Sequence, residues 1–136
     1  MTSFPLKIVT PDGLQYDGMA EELVVRTTTG DMGIMAGHIR CVAPLGMGQA
    51  MVLLEGQRRY AACIGGMVSV GEDGVTLVPT TFEWADQIDV DREQASEQRA
   101  KKVLSDKNAP ETDVRLAEAR LRRALVRKNV ASHKPM

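Results

Sequence analysis

Cysteine is scarce in this chain of 136 residues, where Cys41 and Cys63 are the only two. They are too few and too widely spaced for a disulfide framework, a CxxC redox pair or a zinc site, so both read as small buried hydrophobes. Histidine is as rare, with His38 and His133 alone. No HExxH, no paired-His ligand spacing and no GxSxG elbow occurs, and no base stands beside a nucleophile, so a hydrolase on this chain has no visible machinery. His38 follows Gly37 in a predicted loop and reads as a turn histidine, while His133 falls in an expected frayed tail. Charge of one sign is lacking too: 17 Lys+Arg face 18 Asp+Glu, a net of -1, which excludes a wholly basic phosphate binder. Long apolar runs are missing. The longest uncharged stretch, 41–54, is interrupted by Pro44, Gly46 and Gly48 and falls short of the roughly 20 apolar residues of a membrane helix. The start of the chain has neither a basic n-region nor a long apolar h-region, and a cytosolic protein is expected.

Two further absences are local. All 12 glycines lie between Gly13 and Gly74, and all five aromatics between Phe4 and Trp84. Charge divides at the same place, since residues 1–84 carry 5 basic and 9 acidic side chains and residues 85–136 carry 12 and 9. The sequence therefore predicts a domain over 1–84 built from short Gly-punctuated runs, joined to a second over 85–136 rich in helix-favouring Ala, Glu, Arg and Lys.

What is present in 1–84 is a series of short apolar runs between turns. Leu6 to Val9 precede Pro11-Asp12-Gly13, Leu23 to Val25 precede Thr29-Gly30, Met51 to Leu54 precede Glu55-Gly56, and Val68 to Val70 precede Gly71-Glu72-Asp73-Gly74. Short strands with turns every 8 to 12 residues or so predict an antiparallel β-sandwich. The eight methionines read as core filler. In 85–136, Asp89 suits an N-cap and Asp91 the first turn of a helix ending near Ser105. A breaker at 106–110 ends in Pro110, well placed to open a second helix. That helix carries Val114, Ala117, Leu121, Ala124 and Leu125 as one apolar stripe. The first helix has only Ala95, Ala100, Val103 and Leu104, so the hairpin must lean on something else.

From Val114 onward stand Arg115, Arg120, Arg122, Arg123, Arg127, Lys128 and Lys134 against the single acid Glu118. A surplus of this kind either solvates a helix face or meets an acidic partner. Arg120, Arg123 and Arg127 share one side of the helix, suited to a carboxylate-rich protein surface or a polyphosphate.

Ile8-Val9-Thr10-Pro11-Asp12-Gly13, then the run from Gly30 to His38 in the pattern G-[DE]-x-G-I-x-x-G-H, then Gly65-Gly66 and the Ala- and Arg-rich tail, together resemble the epsilon subunit of the bacterial F-type ATP synthase. The resemblance spans nearly the whole chain. It implies about ten strands followed by a two-helix hairpin, on a non-catalytic subunit of a proton- or sodium-translocating rotary complex. In that family the sandwich docks on the gamma subunit and the c-ring, at the cytoplasmic face of the bacterial cell membrane, and Asp31 and His38 would belong to those contacts. The hairpin resembles a conformational brake on ATP hydrolysis, which would bring Arg120, Arg122, Arg123 and Arg127 to acidic loops of the alpha/beta catalytic subunits. Some relatives bind regulatory ATP through an Ile/Leu-Asp-x-x-Arg-Ala motif. Ile88, Asp89 and Arg92 match it, with Glu83, Arg99 and Arg123 as further candidates, while Glu93 replaces the Ala. No cofactor or metal is required. A nucleic-acid-binding module using the basic second helix is the alternative, disfavoured by the net acidic 1–84 region, which offers no cluster of aromatic residues beside basic ones for base stacking.

Overall fold

The computed structural model describes residues 2–133. Its first part is built from ten strands: β1 (Phe4–Thr10), β2 (Gly13–Ala20), β3 (Glu22–Thr27), β4 (Gly30–Ile34), β5 (Cys41–Pro44), β6 (Met47–Leu54), β7 (Gln57–Ile64), β8 (Met67–Val70), β9 (Val75–Val78) and β10 (Thr81–Trp84). Side chains alternate across a strand, and β1 shows the consequence: Phe4, Leu6, Ile8 and Thr10 point inward while Pro5 and Lys7 face water. The strands form two five-stranded sheets, ordered β2-β1-β9-β8-β5 and β10-β7-β6-β3-β4. This is the expected sandwich, with one departure: β1 pairs β9 in parallel, Leu6 opposite Val75. A short hairpin turn forces antiparallel neighbours, but β1 and β9 are joined by most of the sandwich, so nothing local fixes their relative direction.

The turns carry their own constraint. Gly66 has φ +91°, and a Cβ there would lie 2.0 Å from the carbonyl oxygen of Val78, so only glycine allows the β7–β8 connection to pass this close to β9. Between the sheets lies one core whose members all fall between Phe4 and Trp84, among them Leu6, Ile8, Leu23, Val25, Ile34, Val52, Val68 and Leu77. Phe82 and Trp84 meet edge to face, 4.9 Å between centroids. The Arg59 guanidinium lies 3.9 Å over the Trp84 ring, capping the core by cation–π attraction. Cys63 is buried in it and Cys41 half-buried beside it.

After a 3-10 turn at Ala85–Gln87 come helices α1 (Val90–Ser105) and α2 (Glu111–Ala131). The Asp89 side chain accepts from the Arg92 backbone N–H at 3.1 Å, so the expected N-cap is in place. The hairpin folds against the sandwich: the end of α2 packs on β6, β7 and the 3-10 turn. The seat is a small second cluster of Ala62, Ala85, Ile88, Val130 and Ala131, flanked by Tyr60 and Val126.

Three details correct the sequence reading. Ala117 and Ala124 are buried as expected, but Leu125 is 46% exposed. Alanines at the seam let the helices approach closely, and a residue one position beyond Ala124 is turned about 100° round the helix, out to solvent. Glu93 and Glu97, rather than Ala95, join Ala100 as the buried positions of α1. His133 is not frayed: its ring stacks on Tyr60, 4.2 Å between centroids. Lys134 lies outside the described residues.

Candidate functional site

The Asp89 cap sets where α1 begins and hence which of its side chains turn toward α2. Arg92, Ser96, Arg99 and Val103 recur at helical spacing on that side. Asp113, Leu116, Arg120, Arg123 and Arg127 answer from α2, and together they line a groove of about 720 Å³. Six cationic side chains, Arg92, Arg99, Lys102, Arg120, Arg123 and Arg127, thus face one space whose only acids are Glu93 and Asp113. Among the described residues, Arg127 alone of the five arginines has ion-pair partners. Its Nε is 3.3 Å from a Glu83 carboxylate oxygen on β10, and its Nη1 is 3.9 Å from one of Glu93 on α1. One guanidinium therefore ties sandwich, α1 and α2 together. Lys128 makes a second clasp, donating to Gln94 at 2.7 Å and to Glu97 at 3.3 Å. A groove with four guanidiniums free of ion-pair partners among the described residues is chemically suited to an anion, since planar, permanently charged forks match phosphate and carboxylate oxygens.

The residues proposed for ATP divide. Arg92, Arg99 and Arg123 come together in the groove, and Glu83 reaches it through Arg127. Ile88 is 3% exposed within the second cluster, and Asp89 caps α1, so both hold the hairpin rather than face the groove. The basic set on α2 divides as well: Arg120, Arg123 and Arg127 line the groove as their spacing predicted, whereas Arg122 is solvent-exposed outside it.

Asp31 lies in β4 with its side chain exposed. It stands opposite Arg26 in register, with the Arg26 Nε donating to its carboxylate at 2.6 Å. That hydrogen bond and charge raise the Arg26 pKa above the ordinary arginine value. Asp31 borders a depression that also holds Gln49 and, from α2, Val126 and Asn129. His38 follows the other end of β4, its backbone N–H donating to the Met35 carbonyl at 3.1 Å and its Nδ1 2.7 Å from the Ile39 carbonyl. It borders a different depression, with Arg40, Glu72 and Gly74. Asp31 and His38 are not brought together.

One surface escaped the sequence reading. Met35, Ile39 and Val42, at and before the edge strand β5, are exposed, Ile39 by 82%. The run from Met35 to Val42 carried the signal, because apolar residues in a polar loop next to an edge strand have no core to enter. Among the described residues, no group of three or more His, Cys, Asp or Glu is placed to hold a metal ion, and no helix is long and apolar enough to cross a membrane.

Comparison with known proteins bears on both parts. Residues 3–85 match the family described as "ATP synthase, Delta/Epsilon chain, beta-sandwich domain", and residues 86–132 match "ATP synthase, Delta/Epsilon chain, long alpha-helix domain". An ATP synthase epsilon chain of Bacillus pumilus is 42% identical over 131 residues, covering 96% of this chain and 98% of that one. One of Bacillus velezensis is 41% identical over 133 residues, covering 98% of this chain and all of that one. Among solved structures, a chain of the Euglena gracilis mitochondrial ATP synthase OSCP/F1/c-ring assembly superimposes with a TM-score of 0.83 at 21% identity, covering 98% of this chain and 83% of that chain. At that identity the likeness shows the fold. The nucleic-acid alternative gains no support from these relationships. With both domain families matched in order and bacterial epsilon chains this similar along the whole length, the chain belongs to the ATP synthase delta/epsilon family, as an epsilon chain of the bacterial F-type enzyme.

Proposed function

We propose that the sandwich, residues 1–84, docks on the gamma subunit and the c-ring at the cytoplasmic face of the membrane, and so couples rotor rotation to ATP synthesis in a proton- or sodium-driven complex. The hairpin, residues 85–136, is a releasable arm that inhibits ATP hydrolysis. It performs no bond chemistry of its own. The observation that carries this reading is the unequal packing of the two parts: the sandwich closes its own core, while the hairpin meets it through a small cluster in which Ala62 of the sandwich is joined by Ala85, Ile88, Val130 and Ala131 of the hairpin. Weakly packed units open first. Released, the arm would carry Arg120, Arg122, Arg123 and Arg127 to the acidic loops of the catalytic subunits. Asp31 and His38, at opposite ends of β4, would then serve separate contacts, Asp31 toward the c-ring and His38 toward gamma, with the exposed Ile39 and Val42 extending the latter.

The test of docking is capture of the chain by assembled gamma and c-ring. Asp31→Arg places a second cation against Arg26 and should weaken capture while leaving the isolated sandwich folded, because the pair it breaks is exposed. Undiminished capture would take Asp31 out of the contact. A second reading, regulatory ATP in the inter-helix groove, is favoured by the four unpaired guanidiniums there. Arg92, Arg99 and Arg123 would hold the phosphates.

A further inference from the structure

Glu93 stands at the inner end of the groove, where its side chain is nearly buried and faces Arg127. Arg127 is already met by Glu83 from the sandwich. At that end the two carboxylates offset Arg127 and the neighbouring Arg92, whereas Arg99, Lys102, Arg120 and Arg123 leave the rest of the groove strongly positive. A phosphate chain entering the groove is therefore held less strongly at the Glu93 end than along the rest.

We propose that Glu93 is a tethered competitor for an oligophosphate ligand: its carboxylate occupies the position on Arg127 that a phosphate would take, and so sets the affinity of the groove. This rests on reading the groove as a phosphate site. Glu97, one helical turn further along α1, supplies the contrast. It is as deeply buried as Glu93 and pairs with Lys128, yet it does not line the groove. Two buried carboxylates of one helix thus do different things. Glu97 clasps α2, and Glu93 also guards the space between the helices. Because a like charge within several ångströms of a phosphate opposes binding, removing the Glu93 charge without changing its shape should tighten binding.

The experiment is calorimetric titration of the full chain with inorganic tripolyphosphate, and separately with ATP, at fixed ionic strength. Glu93→Gln should bind tripolyphosphate about tenfold more tightly than wild type, and Glu97→Gln should bind as wild type does. Glu93→Asp, which keeps the charge but draws it back from Arg127, should fall between and covers the case in which Gln loosens the hairpin. A structural role alone would not give this result, since a loosened hairpin weakens the groove. An equal gain for ATP and tripolyphosphate supports recognition through the phosphates; a gain for ATP alone overturns it. Equal affinity of wild type, Glu93→Gln and Glu93→Asp would refute the competitor role and leave the groove a phosphate site. No binding by any of them would remove the site and the proposal together.

Discussion

Truncating Val130 tests whether the hairpin and the sandwich open separately. Val130 is fully buried in the small cluster beneath the end of α2. Val130→Ala deletes two methyl groups, each worth about 0.8 kcal/mol on burial. The cavity left behind raises the total to about 2 kcal/mol, because surrounding atoms relax only partly. If the hairpin undocks as a unit, all of this falls on the undocking equilibrium, and the open population rises about thirtyfold. Native-state amide exchange reads that directly. Amides of α1 and α2 should exchange about thirtyfold faster, while those of β3 and β6 stay within about twofold of wild type. A matching acceleration in the strands would mean that both parts unfold together, which would refute the picture of a detachable arm. Unchanged exchange in the helices would refute the seat itself.

Burial pushes the Cys63 thiol up to about 12 from its ordinary 9.0. A raised folded-state value gives stability that is complete below the unfolded pKa and is lost as pH rises toward the folded one. Wild type should therefore lose about 1.4 kcal/mol per pH unit from about pH 9 upward relative to Cys63→Ala, and parallel denaturation curves for the two would contradict this. Arg127→Ala should accelerate exchange in α1 and α2, because it unties Glu83 from Glu93, whereas Arg122→Ala should not, since Arg122 makes no ion pair with a described residue. Equal effects of the two would deny Arg127 its clasping role.

The sandwich was legible because its code is local: period-two burial in β1, and Pro11-Asp12-Gly13 or Glu55-Gly56 at the turns. The parallel β1–β9 pair was not, since sheet order depends on contacts between strands far apart in sequence. The Asp89 cap and the Pro110 break marked the helix boundaries. Which face each helix buries was only half readable. Glu93 and Glu97 look like solvated charges until Arg127 and Lys128 arrive from another helix, and Leu125 looks like core until alanines set how closely the helices pack. In the candidate site, helical spacing grouped Arg120, Arg123 and Arg127 correctly. Ile88 and Asp89 matched a motif whose first duty here is structural, one as core and one as cap. Asp31 and His38, near in sequence, border different depressions because one lies near the start of β4 and the other past its end.

Arg127 also decides how the brake should be tested. It clasps the folded arm, so its removal would both free the arm and weaken the contact the arm is meant to make. Arg120, Arg122 and Arg123 make no ion pairs with described residues, and their replacement leaves the clasp intact. ATP hydrolysis should be measured in complexes reconstituted with wild type, with Arg120, Arg122 and Arg123 all changed to Ala, and with residues 1–84 alone. Exposed ion pairs contribute about 0 to 1 kcal/mol each and are screened over about 10 Å at 0.1 M salt. Hydrolysis should therefore be slowest with wild type, intermediate with the triple variant and fastest with the sandwich, and the differences should shrink as salt rises. Equal rates for all three, at low and at high salt, would mean that the hairpin of this chain is not a brake.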